Sequence, residues 1–235
     1  MRPMAENPTP GAVLITGGAS GLGAAVADAV RERGGTPLVI DKDRPADGIA
    51  HVCADLADTD AVDTAVAALA EQGGGPLRGV FTAAGIDACG TLREVPAKEW
   101  ERVVMVNLLG TAAVIRSALP FLSRGRSRIV TCASTLGIKA VSDATAYCAS
   151  KFGVVGFTRA LAAELAGDIG VTLLIPGGMH TAFFDSRTEQ YKPPPDAKLN
   201  QPSDVAAAVM FALSQPPGCE VRELVVCAST ESSWP

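Results

Sequence analysis

Two histidines are all that the 235 residues hold, and no two of the six cysteines stand in C-x-x-C spacing. Zinc sites are built from such clusters, so no metal centre is expected. Basic residues are in deficit as well: 20 Lys and Arg face 25 Asp and Glu, a formal charge of −5 with a pI near 5.1. That balance argues against nucleic acid or an anionic membrane as the main partner. The one local basic cluster, Arg124, Arg126 and Arg128, reads as a solvated loop. The opening residues, MRPMAENPTPG, lack the apolar core of a secretory leader. Several of the cysteines (Cys53, Cys89, Cys132, Cys148, Cys219 and Cys227) lie in apolar runs, as free thiols do in reducing compartments. A cytoplasmic location is therefore expected. The most apolar run, 103–122, is broken by Asn107, Arg116 and Pro120, and reads as a helix buried in protein, with no membrane partner.

What the chain does have is apolar material, 48% of its residues, enough for a sizeable core. It is arranged in short runs at 12–16, 37–41, 50–55, 78–84, 128–134, 171–176 and 223–228. Helical patterns fill the intervals near 21–34, 59–72, 97–122, 145–166 and 203–214. The strand candidates are nearly continuous apolar runs and not alternating ones, as in a parallel sheet covered on both faces. Strict alternation of strand and helix means βαβ units. The expectation is one α/β domain over 11–235, a doubly wound parallel sheet of about seven strands, behind a disordered tail over 1–10.

Ligands of such sheets bind beyond the carboxyl ends of the strands. There the first strand runs into TGGASGLG, residues 16–23. Gly17 permits a tight turn; Gly21 and Gly23 let backbone and helix close on a pyrophosphate at the helix N-terminus. The second strand ends at Asp41, where a carboxylate can accept the hydroxyls of an adenosine ribose and repel a 2′-phosphate. NAD is therefore expected; Lys42 and Arg44 beside it leave NADP open.

A second pattern lies in AYCASKFGV, 146–154. Tyr147 and Lys151 are four residues apart, on one face of a helix, in a chain only 5% aromatic. A nearby ammonium favours phenolate and would lower the tyrosine pKa from its usual value of about 10, making a proton donor and acceptor. The plainer alternative is a chance pair on a solvated face.

With these motifs in hand the chain resembles the short-chain dehydrogenase/reductase family, in its short single-domain branch, over about 11–228. The matching pieces, in order, are TGGASGLG, Asp41, DL at 55–56, AAG at 83–85, VNLLGT at 106–111, IVTCAS ending at Ser134, YCASK at 147–151, IPGGMHT at 175–181 and PSDVAAAV at 202–209. Ser134 precedes Tyr147 by 13 residues, the interval of that family. The resemblance implies a Rossmann fold and four catalytic residues. Tyr147 would be the general acid/base, and Lys151 would lower its pKa and bind the nicotinamide ribose. Ser134 would hold the substrate oxygen, and Asn107 would support a proton-relay water. For the cofactor it implies Thr16, Gly17, Ser20, Gly21, Leu22 and Gly23 at the phosphates and Asp41 at the ribose. It adds Asp55 and Leu56 near adenine, Ala84 and Gly85 beneath the dinucleotide, and Pro176, Gly177 and Thr181 at the carboxamide, with Tyr147 and Lys151.

Two departures from the family pattern stand out. TAAG replaces the usual NNAG, so Thr82 and Ala83 stand where two Asn would support the sheet. The last strand lacks the frequent terminal Gly pair, so the C-terminal tail should pack differently.

The long segment 182–202, AFFDSRTEQYKPPPDAKLNQP, reads as a lid over the cofactor. Phe183 and Phe184 would close an apolar face on substrate, with Ile86, Asp87, Leu136 and Ile138 on the opposite wall beside Ser134 and Tyr147. His180 lies beside this segment, on an exposed loop or against substrate. The expected activity is NAD(H)-dependent interconversion of a secondary alcohol and a ketone, on a mid-sized polar small molecule of the kind met in natural-product tailoring. One alternative is a 3-oxoacyl carrier-protein reductase using NADPH; such enzymes carry basic residues before the sixth strand, where this chain reads AGDIG with Asp168. The other is a dinucleotide-sensing protein without catalysis, which would typically have lost the Tyr or Lys. Finally, 97–122 and 145–166 are too apolar to cover one face only, which points to a homo-oligomer, a dimer or a tetramer with the tail at Trp234 making a second contact.

Overall fold

The computed structural model describes residues 9–234, so most of the tail expected over 1–10 lies outside the described residues. Seven strands form one parallel sheet in the order β3-β2-β1-β4-β5-β6-β7. They are β1 (Ala12–Thr16), β2 (Thr36–Asp41), β3 (Ala50–Cys53), β4 (Leu77–Thr82), β5 (Arg128–Cys132), β6 (Gly170–Pro176) and β7 (Glu223–Val226). The helices are α1 (Gly21–Glu32), α2 (Thr59–Gln72), α3 (Ala97–Val104), α4 (Thr111–Ala118), α5 (Thr145–Glu164) and α6 (Pro202–Leu213).

Successive residues of a strand point to opposite faces, and each face finds its own helices. Ala12 and Leu14 join Leu38, Ile40 and Val80 beneath α2, α4 and α5. Val13 and Ile15 join Val39, Phe81 and Val130 beneath α1 and α6. β1, β5 and β6 are buried along their whole length, the reason their sequence shows no alternation. The strand order reverses at β1, so β2 and β4 leave on opposite sides and a crevice opens above the carboxyl ends of β1 and β4.

The run 97–122 is not one regular helix. Between α3 and α4, Met105–Gly110 forms a π-helical turn, and Leu119–Phe121 closes with a 3₁₀ turn. The whole run, Ala97–Phe121, is long and apolar enough to cross a membrane by length and composition, yet half of its most apolar window is packed inside the molecule. Its outer side is apolar only in part. Met105 and Leu109 are exposed there together with Arg116, and Phe152 of α5 is exposed as well.

Arg128 was expected both to open the strand run 128–134 and to lie in a solvated basic loop. It does begin β5, but it is buried, its guanidinium donating to the carbonyls of Ser127, Gln215, Pro216 and Cys219. Four carbonyl acceptors substitute for water around the charge. Arg124 does sit on the surface, paired with Asp168 at 2.7 Å. The cysteines divide: Cys132 and Cys148 are buried, whereas Cys53 and Cys219 are exposed. Thr82, where the family pattern has Asn, is buried, and its Oγ1 has no hydrogen-bond partner among the described residues.

Candidate active site

The glycine loop fits a dinucleotide on backbone evidence. Gly17 has a φ of 72°, and a Cβ there would lie 2.8 Å from the backbone of Ala84. A Cβ on Gly23 would lie 2.0 Å from the Gly17 carbonyl oxygen, so only glycine lets the first turn of α1 close on the loop. The open amides at the start of α1 then face the crevice, as an anion requires. Thr16 itself is buried; its Oγ1 accepts from the Ala84 amide and ties β1 to the end of β4. Leu22 is buried in the core. Ser20 is the residue before α1, and its carbonyl accepts the Ala24 amide.

Asp41 ends β2 with its carboxylate at the loop, Oδ2 accepting from the Ala19 amide at 2.9 Å and Oδ1 from the Asp43 amide at 3.0 Å. The acidic group is thus held at the glycine turn by the backbone, and Lys42 and Arg44 point to solvent. Asp55 is turned away toward α3: it accepts from the Ala57 amide and pairs with Arg102 at 2.8 Å, and these two contacts, the backbone one first, hold its carboxyl below the usual range. Leu56 is buried in the core beneath α2 and α4.

The reaction centre lies one strand over. Ser134 follows β5 and caps the short turn Thr135–Gly137, its Oγ accepting from the Leu136 amide at 3.1 Å. Tyr147 and Lys151 stand on the first turns of α5, and the Tyr147 phenol lies beside Ser134. The Lys151 ammonium is 5.6 Å from the Tyr147 ring centroid and donates to the Cys132 carbonyl at 2.9 Å. Lys151 is buried, and burial lowers its pKa from the usual lysine value. Asn107 occupies the π-helical turn, a distortion frequent at functional sites. Its side chain brackets Ile86, accepting from the amide at 2.8 Å and donating to the carbonyl at 2.9 Å, and also donates to Ser150. Every polar atom of that amide is satisfied, so its place in the apolar helix costs little.

One expectation is reversed. The phenol of Tyr147 was expected below its usual pKa because of Lys151. Burial pushes it up instead, with Cys132 adding to the rise and the neighbouring Ser134 hydroxyl opposing it. The physical reason is above the ring: Phe183 packs on it at 5.7 Å between centroids, while the ammonium is committed to the Cys132 carbonyl. In this conformation Tyr147 is a protonated donor.

The segment 182–202 is ordered by short 3₁₀ turns at Ala182–Phe184 and Glu189–Tyr191, and it returns to the sheet through Asn200, which pairs with Gly178. Thr181 caps the first turn, and its methyl faces Gly21 across the crevice, where a Cβ would be 3.2 Å away. Phe184 lies edge-on to Phe183. A contact that sequence reasoning missed holds this segment down. Arg187 pairs with Asp87 at 2.6 Å, both largely buried, and its guanidinium lies over Phe184 at 4.7 Å and Phe183 at 5.2 Å. The partners are 100 residues apart, so no local spacing could have signalled them. Cys89 donates its thiol to the same carboxylate and is pushed up to about 11, by burial first and Asp87 second. Of the other residues expected on the walls, Leu136 and Ile138 are half-buried, Ile138 against the Val154 and Val155 cluster, and His180 is exposed.

Ser134, Tyr147, Lys151 and Asn107 are thus gathered at the carboxyl edge of β4 and β5, next to the glycine loop, with Phe183 packed against Tyr147. The arrangement can give a proton to an oxygen held between two hydroxyls, beside a groove suited to a dinucleotide. A family model described as short chain dehydrogenase matches residues 11–192. The chain is 32% identical over 229 residues to 2-(S)-hydroxypropyl-CoM dehydrogenase 3 of Xanthobacter autotrophicus, covering 86% of this chain and 89% of that protein. It is 30% identical over 225 residues to an uncharacterized oxidoreductase of Staphylococcus aureus, covering 91% and 95%. Among solved structures, a dehydrogenase/reductase from Sinorhizobium meliloti superposes with a TM-score of 0.78 at 26% identity, covering 92% of each chain. A short chain dehydrogenase from Burkholderia cenocepacia in complex with NADP superposes with a TM-score of 0.81 at 25% identity, covering 94% of this chain and 98% of that one.

Proposed function

The chain belongs to the short-chain dehydrogenase family, and on that footing we propose that it interconverts a secondary alcohol and a ketone on a mid-sized polar substrate, with NAD(H) preferred over NADP(H). That it is an NAD(P)-dependent oxidoreductase follows from the family. The observation that carries the finer reading is the meeting of a half-buried pair of hydroxyls, Ser134 and Tyr147, with the glycine loop and Asp41 at one sheet edge. When bound, the nicotinamide is the hydride donor or acceptor. The chain's own part is to hold and protonate oxygen. Ser134 Oγ and the Tyr147 hydroxyl hold the substrate oxygen, and negative charge growing there in reduction meets the phenolic proton. Lys151 is within reach of both the phenol and the groove, and so serves the proton path and the cofactor ribose together. Asn107 fixes Ile86 and the floor beneath them. Pro176, Gly177 and Thr181 hold the carboxamide, and Ala84 and Gly85 the dinucleotide's inner edge. Phe183 and Phe184 exclude water above the ring of Tyr147.

A spectrophotometric screen of small ketones and secondary alcohols, following NADH and NADPH in parallel, tests this reading. Turnover of some ketone with NADH is the expected result; no turnover of any class with either cofactor overturns it. The Asp41 carboxylate is expected to give NAD(H) the higher kcat/KM, because it would lie against a 2′-phosphate in a partly desolvated pocket. Asp41→Ala narrows or reverses the preference, with Lys42 or Arg44 freed for the phosphate. Equal kcat/KM for the two cofactors in the unmutated protein would refute the assignment.

The exposed Met105 and Leu109 of the π-helical turn and Phe152 of α5 support a homodimer through the 97–122 run and α5. Phe211 of α6 and Val225 of β7 are also exposed and support a second contact in a tetramer, near Trp234. Light scattering at micromolar concentration is expected to give the mass of a dimer or tetramer, and a fully active monomer would sink the assembly.

A further inference from the structure

The C-terminal tail leaves β7 and turns back across the sheet edge, where the missing Gly pair had already set this chain apart. Glu231 is its anchor. Its Oε2 accepts from the Gly178 amide at 3.0 Å. Its Oε1 accepts from the amide and the hydroxyl of Ser233, at 3.1 and 2.7 Å. Those three bonds outweigh burial and hold the carboxyl below its usual pKa, so it is ionised and accepts only. The Ser233 proton is therefore spent on Glu231, and the 2.6 Å contact between Ser233 and Thr135 must be Thr135 donating. Lys139 adds a bond from its ammonium to the Ser232 carbonyl at 2.8 Å.

The tail thus joins two segments that otherwise belong to different strands. Thr135 and Lys139 lie on the loop after β5, directly behind Ser134. Gly178 lies on the segment after β6 assigned to the carboxamide. The double glycine at 177–178 is shaped for this. A Cβ on Gly177 would stand 2.4 Å from Glu231 Oε2 and 2.7 Å from the Cys227 Cβ. A Cβ on Gly178 would stand 2.7 Å from Leu199, the end of the lid. The carboxamide segment is clasped between the lid on one side and the tail on the other.

We infer that Glu231 and Ser233 are positioning residues: the tail is a strap that fixes the carboxamide segment against the Ser134 loop and so sets where the nicotinamide end of the cofactor rests. The inference depends on the dinucleotide reading proposed above. It assigns the strap no part in the adenosine half, whose contacts lie at the glycine loop and Asp41, across β1 and β2.

The test compares two ligands by calorimetric titration of the full-length protein. NADH carries the nicotinamide; ADP-ribose has the same adenosine and pyrophosphate but no nicotinamide. Glu231→Ala is expected to weaken NADH binding about tenfold, the scale of one lost charge-assisted hydrogen bond, and to leave ADP-ribose unchanged. Glu231→Gln, whose amide oxygen can still accept from Gly178, is expected to recover most of the NADH affinity. Ser233→Ala should fall between the two. If Glu231→Ala weakens both ligands equally, the tail serves general stability and the strap is overturned. If it weakens neither, the strap is overturned while the dinucleotide reading stands. If the unmutated protein binds neither ligand, the dinucleotide reading fails and the strap with it.

Discussion

Tyr147→Phe is expected to lower kcat by about 10²–10⁴-fold, the range in which a positioned proton donor contributes. Cofactor affinity should stay nearly unchanged. The argument rests on what the substitution spares. The phenylalanine ring keeps the packing on Phe183, at 5.7 Å between centroids, and the place of the side chain on α5. What disappears is the hydroxyl beside Ser134, the group proposed to carry the proton. An interaction made only as charge develops on oxygen affects kcat and kcat/KM alike and leaves ground-state binding in place. Steady-state kinetics with a titration of NADH fluorescence separates the two. A variant with more than a tenth of the parental kcat would remove Tyr147 from the proton path.

Strands and helices were readable because the physics that fixes them is local. Four consecutive apolar residues and a threonine at 12–16 are all buried, and the strand is there without adjustment. Asp58 caps α2 by accepting from the amides of Asp60 and Ala61, and the helix covers the expected 59–72. The candidate site residues could be named for a different reason, since their order and spacing in the chain match a family. Departures come where the decisive partner is far along the chain. The π-helical turn at Met105–Gly110 has no mark in its own apolar sequence. It is seen only when Asn107 is found bracketing Ile86. Arg128 looked like a loop residue beside Arg124 and Arg126, but the carbonyls that enclose it lie at Gln215, Pro216 and Cys219. The Tyr147 pKa went the opposite way for the same reason. Helical spacing put an ammonium nearby, but burial beneath Phe183, 36 positions later, decides the sign.

The Asp87–Arg187 pair is where removing one side chain should do the most damage away from the reacting atoms. The side chains are 7% and 17% exposed, so the charges are held mostly out of water. As a pair they need not add much stability: the Arg187 Nε has no acceptor among the described residues, and burying both charges has its own cost. Taking away the guanidinium alone is another matter. Arg187→Leu leaves the Asp87 carboxylate with only the Ala88 amide and the Cys89 thiol, and a buried charge stripped of its partner costs about 3–5 kcal/mol. The molecule has a cheaper response than unfolding. It can release the segment from Phe183 to Tyr191, whose rings no longer stack on a cation and whose Tyr191 carbonyl has lost the Arg187 donor. Water then reaches Asp87, and Phe183 leaves Tyr147. Arg187→Leu is therefore expected to make the lid the first site of limited proteolysis, to lower Tm, and to reduce kcat/KM through an unshielded site. Asp87→Asn in the same chain removes the stranded charge while keeping the acceptor for Ala88, and should restore much of the Tm without restoring the lid. Unchanged Tm and unchanged protease resistance in Arg187→Leu would mean that the aromatic contacts of Phe183 and Phe184 hold the lid by themselves.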